Sequence, residues 1–287
     1  MGVSVAIIKP ADDGCNLNCS YCYVSGNPQK INYMSIDTAK KIVLSLMSQE
    51  DVDEIEFLWH GGEPLLATRA FYEEIFLYQR KISDKNRKKY HNSFQTNMTL
   101  MDYDWIKFFS DNNIVISTSL DGPENLHNIN RRKSNGEGSY KDVVDKIKLV
   151  QSYGLKVNTL TVVSKTNMCY PIEIAENLKS LKINHVGFIP CFKLNGCGNI
   201  DYPSLEPGDF AEFLIPLFEW YLNNNCDFEI REFEQLFSGI INRPQDICCF
   251  TGHCNKFLCF NSFGDAYACD TSPQSEAYCY GNINNKT

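Results

Sequence analysis

Cys15-Asn-Leu-Asn-Cys19-Ser-Tyr-Cys22-Tyr sets three thiols within eight residues, behind Gly14, which allows a tight approach. Three thiolates can hold three irons of a [4Fe–4S] cube and leave the fourth iron open for the amino and carboxylate groups of a methionine-type ligand. A tetrahedral zinc site wants a fourth ligand nearby, and zinc-ribbon Cys-x2-Cys pairs are spaced differently, so a zinc loop or a chance group of thiols is the competing reading. Further along, Trp59-His60-Gly61-Gly62-Glu63-Pro64 offers two glycines that let a backbone approach a ligand, and a carboxylate able to complement an ammonium. A second thiol group, Cys248-Cys249-Phe-Thr-Gly-His-Cys254, is followed by Cys259, Cys269-Asp270 and Cys279. Of thirteen cysteines, three lie at 15–22, six at 248–279 and four (Cys169, Cys191, Cys197, Cys226) between. That clustering favours metal ligation over a disulfide framework, because no secretion signal is visible near Met1. The four scattered cysteines read as ordinary core or loop residues.

These groups need elements to position them. Strands are expected at 3–8, 54–58, 92–96, 114–119, 156–163 and 185–189, and helices at 36–47, 69–81, 102–112, 139–153 and 172–181. Ser35 is a ready N-cap, and Ile36, Ala39, Ile42, Val43 and Leu46 share one helical face. The alternation describes an α/β fold with a parallel sheet, six strands fitting a partial or full (β/α) barrel better than an open doubly wound sheet. Cys15, His60, Gln95 and Ser119 fall at or just after strand ends, the rim where parallel α/β folds build sites. Two more helices are expected at 210–222 and 231–241, after a loop around 197–208. The last forty residues lose helical periodicity and read as a separate small metal-bound module. A formal charge of −8 argues against general affinity for nucleic acid or anionic membranes, and no apolar run is long enough to span a bilayer.

The Cys-x3-Cys-x2-Cys string after a first strand, with Gly61-Gly62-Glu63-Pro64 closing the next, resembles the signature of the radical S-adenosylmethionine superfamily. Phe94-Gln95-Thr96-Asn97, Ser119-Leu-Asp121-Gly122-Pro123 and His127-Asn-Ile-Asn-Arg131 extend the likeness to the anaerobic sulfatase-maturating enzymes and their peptide-modifying relatives. The resemblance implies a partial (β/α)6 barrel over 1–225, a helical connector over 226–247 and a partial SPASM-type auxiliary-cluster module over 248–287. It implies Cys15, Cys19 and Cys22 as ligands of a [4Fe–4S] cluster with an open iron. Tyr21, Gly61, Gly62, Glu63, Pro64, Asn97, Ser119 and Arg131 would line the S-adenosylmethionine pocket. For Arg131, beside Arg132 and Lys133, a solvated charge is the competing reading. His60 and Gln95 would face substrate; the family often carries Gln where this chain has His60.

The spacing Cys254-x9-Gly264-x4-Cys269 resembles the start of a SPASM domain, which implies Cys248, Cys254 and Cys269 as ligands of an auxiliary [4Fe–4S] cluster, with Cys249 competing for the place of Cys248. Cys259 reads as a buried thiol in a hairpin strand, and Cys279 as structural or ligating. A full module continues with further cysteines, and this sequence stops at Thr287, so either a fragment or natural truncation is expected, or another group fills the place of the auxiliary cluster's fourth ligand. Asp270 takes the place of the base proposed in the sulfatase-maturating family; a turn-forming Asp is the alternative. The implied activity is oxidation of a Cys or Ser residue of a protein to formylglycine. A thioether or carbon–carbon crosslink in a ribosomal peptide is the rival, and a non-catalytic metal-binding remnant the reading of another class. A flavodoxin or ferredoxin donor and a reducing, anaerobic cytoplasm complete what the resemblance implies.

Overall fold

The computed structural model describes residues 2–23, 31–192, 201–224, 228–245, 247–252, 254–271 and 276–285. Cys197 and Cys226 lie outside them. Six strands alternate with helices: β1 (Val5–Ile8), α1 (Ile36–Met47), β2 (Glu54–Trp59), α2 (Arg69–Asn86), β3 (Lys89–Thr96), α3 (Tyr103–Asp111), β4 (Val115–Ser119), α4 (Glu124–Asn130), α5 (Tyr140–Ser152), β5 (Asn158–Val163), α6 (Pro171–Ser180) and β6 (His185–Pro190). There follow α7 (Asp209–Asn223), β7 (Glu229–Ile230), α8 (Arg231–Ile240), α9 (Cys248–Thr251), β8 (Phe257–Phe260), β9 (Asp265–Tyr267) and β10 (Cys279–Asn282). The helix α1 starts where its cap predicts, with the Ser35 hydroxyl accepting from Thr38 N. The short α4 was not expected from the sequence: Pro123 precedes it and offers no side-chain cap.

One ten-stranded sheet runs in the order β10-β9-β8-β1-β2-β3-β4-β5-β6-β7. Neighbours from β1 to β7 pair in parallel, as the repeated crossovers require. The Cys-rich stretch, expected as a separate module, is continuous with this sheet. β8 lies parallel to β1, with Ile8 opposite Phe260, and turns into an antiparallel hairpin with β9. A pairing between residues some 250 positions apart leaves no local periodicity to read.

Side chains alternate across each strand. Ile55, Phe57, Trp59, Phe94, Ile116 and Val163 join the helices in one apolar core, dominated by an aromatic group in which Trp59, Tyr72 and Phe94 are mutual neighbours. The other face of β2 to β5 carries Glu56, Leu58, Ser93, Gln95, Ser117, Ser119, Leu160 and Val162, mostly half-buried. That polar inner face, and the strand C-termini above it, are what the fold offers to a ligand. Among the described residues no helix is long and apolar enough to cross a membrane.

Candidate functional site

Beyond β1 the chain turns through Lys9–Gly14, with Asp12 in the left-handed region at φ 52°, and enters the cysteine string. The end of β2 seats this turn. Gly62 N donates to Asp12 O at 2.8 Å and Glu63 N to Gly14 O at 2.8 Å. A Cβ on Gly62 would stand 2.0 Å from the Gly14 carbonyl oxygen, and one on Gly61 would stand 2.7 Å from that of Asp12. The two glycines are therefore demanded by the approach of the cysteine loop itself, a reason the sequence reading, which had them clearing space for a ligand, did not contain. On the other flank, Asn18 N donates to Arg132 O at 2.7 Å and Ser20 N to Asn130 O at 2.9 Å. The loop is clamped between the ends of β2 and α4.

Burial pushes the Cys15 thiol up to about 12, with the Glu63 carboxylate adding to the shift. Burial also pushes Cys19 up to about 11, against the opposing pull of Arg131. Thiols so placed stay protonated near neutral pH until a metal ion binds them. Leu17 N at 3.4 Å and Asn97 Nδ2 at 3.6 Å already point at the Cys15 sulfur, the donors a ligating thiolate wants. Among the described residues, the one group of three or more His, Cys, Asp or Glu side chains with ligand atoms mutually within 4.8 Å is His185, Glu229 and Glu234. Cys15, Cys19 and Cys22 do not form such a group, so at least one pair of their sulfurs lies farther apart than 4.8 Å, a spacing that three separate corner irons of a cube can accommodate. The residues present fit an iron–sulfur cluster.

Glu63 is fully buried and caps the short 3-10 helix Pro64–Leu66. Its Oε1 accepts from Leu65 N at 3.0 Å and Thr96 Oγ1 at 2.6 Å, and its Oε2 from Asn97 N at 2.7 Å. Burial outweighs these bonds and pushes its carboxyl up to about 7. Three of roughly four acceptor positions are filled, leaving room for one further donor, such as an ammonium. Asn97 Nδ2 also donates to Asn16 Oδ1 at 2.8 Å, and Gln95 Nε2 to Ser119 Oγ at 3.1 Å. The ends of β2 and β3 are thus stitched to the cysteine loop, and Gln95 ties the end of β3 to Ser119 on β4.

Arg131 is not a solvated charge. It is 8% exposed, its Nε donates to Asp121 Oδ2 at 2.9 Å, and its guanidinium lies 5.3 Å from the centre of the Tyr21 ring. Tyr21 donates its hydroxyl to the same Asp121 oxygen, while Val162 N reaches Oδ1 at 3.0 Å. Asp121 N in turn points at His127 Nδ1 at 3.3 Å, and His127 Nε2 lies 2.9 Å from Ser139 Oγ. Asp121 is the hub of this network, a role not expected from the sequence. The signal available was its place in Ser-x-Asp-Gly at a strand end.

Asp270 comes to the opposite flank of the loop. Tyr23 Oη donates to Asp270 Oδ2 at 2.8 Å, and His60 Nε2 stands 3.5 Å from that hydroxyl and 3.8 Å from the carboxylate. Burial holds the His60 imidazole below its usual range, Asp270 opposing and Lys9 adding to the shift. Lys9 is fully buried, with Nζ 4.0 Å from Asp13 and 5.7 Å from the Tyr23 ring centre. Nothing in the sequence marks this lysine as interior. Cys269 accepts from Thr271 N at 3.3 Å. Cys248 opens α9, and Cys254 opens the 3-10 turn Cys254–Lys256. Cys254 is exposed and Cys248 half-buried, while the side chain of Cys249 lies outside the described residues. Cys259 is buried in β8 against Ile7 and Tyr267, with Cys279 packed beside them. Cys191 is buried and Cys169 exposed.

The family model of the Radical SAM superfamily matches residues 12–188, which span the cysteine loop and the strands from β2 to β6. The chain is 35% identical over 274 residues to the cysteine-type anaerobic sulfatase-maturating enzyme of Clostridium perfringens, covering 92% of this chain and 73% of that one. It is 27% identical to the serine-type enzyme of Bacteroides thetaiotaomicron, over 98% of this chain and 72% of the relative. The solved structure of native anSMEcpe with AdoMet and the Cp18Cys peptide bound superposes with a TM-score of 0.86 at 31% identity, covering 99% of this chain and 78% of that one.

Proposed function

The chain belongs to the radical SAM superfamily, within the family of anaerobic sulfatase-maturating enzymes, and from that premise we propose that it oxidises a Cys or Ser side chain of a protein substrate to formylglycine. Higher identity to the cysteine-type relative than to the serine-type one favours Cys. When bound, the [4Fe–4S] cluster and S-adenosylmethionine supply a 5′-deoxyadenosyl radical that removes a hydrogen from the substrate Cβ. Cys15, Cys19 and Cys22 would hold that cluster. Glu63, with one acceptor position left, would take the ammonium of S-adenosylmethionine, and Asn97, Ser119 and Gln95 would line the pocket beside it. Tyr21 and Arg131, tied through Asp121, would hold the loop and lend positive charge next to Cys19. Cys248 or Cys249, with Cys254 and Cys269, would hold an auxiliary [4Fe–4S] cluster, which would supply redox chemistry on that flank. The barrel over 1–225, the connector over 226–247 and the module over 248–287 are, on this reading, divisions of labour along one sheet.

The observation that carries the reading is Asp270. A carboxylate beside Cys269 reaches across to Tyr23 and His60 at the rim of the cysteine loop, where it can accept the proton the oxidised side chain sheds. A formal net charge of −8 favours a protein or peptide partner over nucleic acid. A flavodoxin or ferredoxin in a reducing cytoplasm fits the need for low-potential electrons. The test is Asp270→Asn on the anaerobically reconstituted enzyme with a Cys-containing sulfatase peptide. The variant should still form 5′-deoxyadenosine while the aldehyde product, followed by mass spectrometry, is lost. Full aldehyde yield from the variant would remove Asp270 from the role.

A further inference from the structure

Asn97 follows the last residue of β3, and its side-chain nitrogen carries two hydrogens. Nδ2 meets Asn16 Oδ1 at 2.8 Å and Cys15 Sγ at 3.6 Å. What keeps the amide this way round lies two residues on. Asn97 Oδ1 accepts from Thr99 N at 3.0 Å and from Thr99 Oγ1 at 2.7 Å. Were the amide turned over, its NH2 would face the Thr99 N–H, donor against donor, and its oxygen would face Asn16 Oδ1 and the Cys15 sulfur. Asn16 Nδ2 closes the circle by donating to Thr99 Oγ1 at 2.7 Å. Asn16, Thr99 and Asn97 thus form a ring in which each side chain donates once and accepts once, so the direction of every hydrogen is set. Thr99 is turned back toward Asn97 by Met98, whose φ of 64° lies in the left-handed region. That conformation is unfavourable for a residue with a side chain, and Met98 is held in it by full burial in the core. The turn after β3 is kept at a conformational cost, and it delivers both Thr99 donors to Asn97.

On the reading of Cys15 as a ligand of the first cluster, we propose that Thr99 and Asn16 are positioning residues, which lock the Asn97 amide so that it donates to the Cys15 sulfur and makes that cluster easier to reduce. A donor to a ligating sulfur draws off part of the negative charge that reduction increases, so it stabilises the reduced form more than the oxidised one. The three side chains form and break no covalent bond and move no proton. The one electron of the reduction comes from the donor protein, or from dithionite in the assay. An amide free to turn over would lose this donor, or set its oxygen against the sulfur, and the oxidised form would gain.

The experiment compares wild type with Thr99→Val, which removes the hydroxyl and keeps the side-chain shape, and Thr99→Ser, which keeps the hydroxyl. Each reconstituted protein is titrated anaerobically with dithionite. The midpoint is read on the electron paramagnetic resonance signal that responds to S-adenosylmethionine, which separates the first cluster from an auxiliary one. Thr99→Val should lower the reduction equilibrium about tenfold, a fall of about 59 mV for one electron, and Thr99→Ser should restore it. A Thr99→Val midpoint equal to that of wild type overturns the proposal, and so does a Thr99→Ser midpoint that falls with it. If wild type assembles no cluster that responds to S-adenosylmethionine, the reading of the site fails, and NMR of the cluster-free protein then tests the lock alone. Asn97 side-chain hydrogens that exchange with water about tenfold faster in Thr99→Val support the lock, and equal exchange overturns it.

Discussion

Glu63 is wholly buried, and its carboxyl is held up to about 7 against an ordinary value of 4.5. The folded protein thus binds the Glu63 proton more tightly than the unfolded chain does. The stability this lends is present below pH 4.5 and is lost as pH rises through about 7. At roughly 1.4 kcal/mol per pKa unit the loss is about 3 kcal/mol. Glu63→Gln cannot titrate, and its amide would face the Asn97 N–H that now donates to Oε2, costing about 1–3 kcal/mol at every pH. The assay is urea unfolding of the reduced, cluster-free protein in steps from pH 4.5 to 8. Subtracting the Glu63→Gln curve from that of wild type cancels the other titrating groups. The difference should favour wild type at the acid end and shrink by about 3 kcal/mol toward the alkaline end. A flat difference, or one growing with pH, would refute the claim that burial dominates Glu63. The same reasoning predicts that S-adenosylmethionine, by bringing an ammonium to the open acceptor position, lowers the Glu63 pKa and binds more tightly above pH 7 than below it.

His127 behaves with the opposite sign: burial holds it down at about 4, so its stabilising effect is present above pH 6.5 and is lost as pH falls toward 4, which His127→Asn should abolish in the same unfolding series. Gly62→Ala drives a Cβ into the Gly14 carbonyl at 2.0 Å; overpacking of this kind costs about 1–3 kcal/mol, and iron bound on reconstitution should drop severalfold while far-UV circular dichroism persists. Arg131→Met leaves Asp121 buried without its ion pair, for an expected loss of about 3–5 kcal/mol in denaturant.

Local signals carried the core of the fold. Ser35 and the spacing behind it mark α1 at both ends, and the six parallel strands follow from alternation with amphipathic helices. Sequence distance hid the rest. The pairing of β8 with β1, which brings Asp270 to Tyr23 and His60, has no local signature. Arg131 lies in a run of three cations that looks like a solvated face, and only the fold shows its partner Asp121. Lys9 continues an apolar strand and gives no hint that its ammonium stays inside. The cysteine loop and the Gly-Gly-Glu-Pro turn were legible as a pair of motifs, but the packing reason for the glycines, the approach of residues 12–14, shows only in the folded chain.

The central claim is that this cysteine loop supports radical chemistry coupled to oxidation of a peptide Cys. Its most direct test is anaerobic turnover of the reconstituted, reduced protein with S-adenosylmethionine and a Cys-containing sulfatase peptide, reading 5′-deoxyadenosine and peptide mass together. Expected is 5′-deoxyadenosine in step with a peptide that has lost two hydrogens and exchanged its sulfur for oxygen, both absent in Cys19→Ala. Loaded protein that yields no 5′-deoxyadenosine, or an unaltered Cys19→Ala variant, would contradict it.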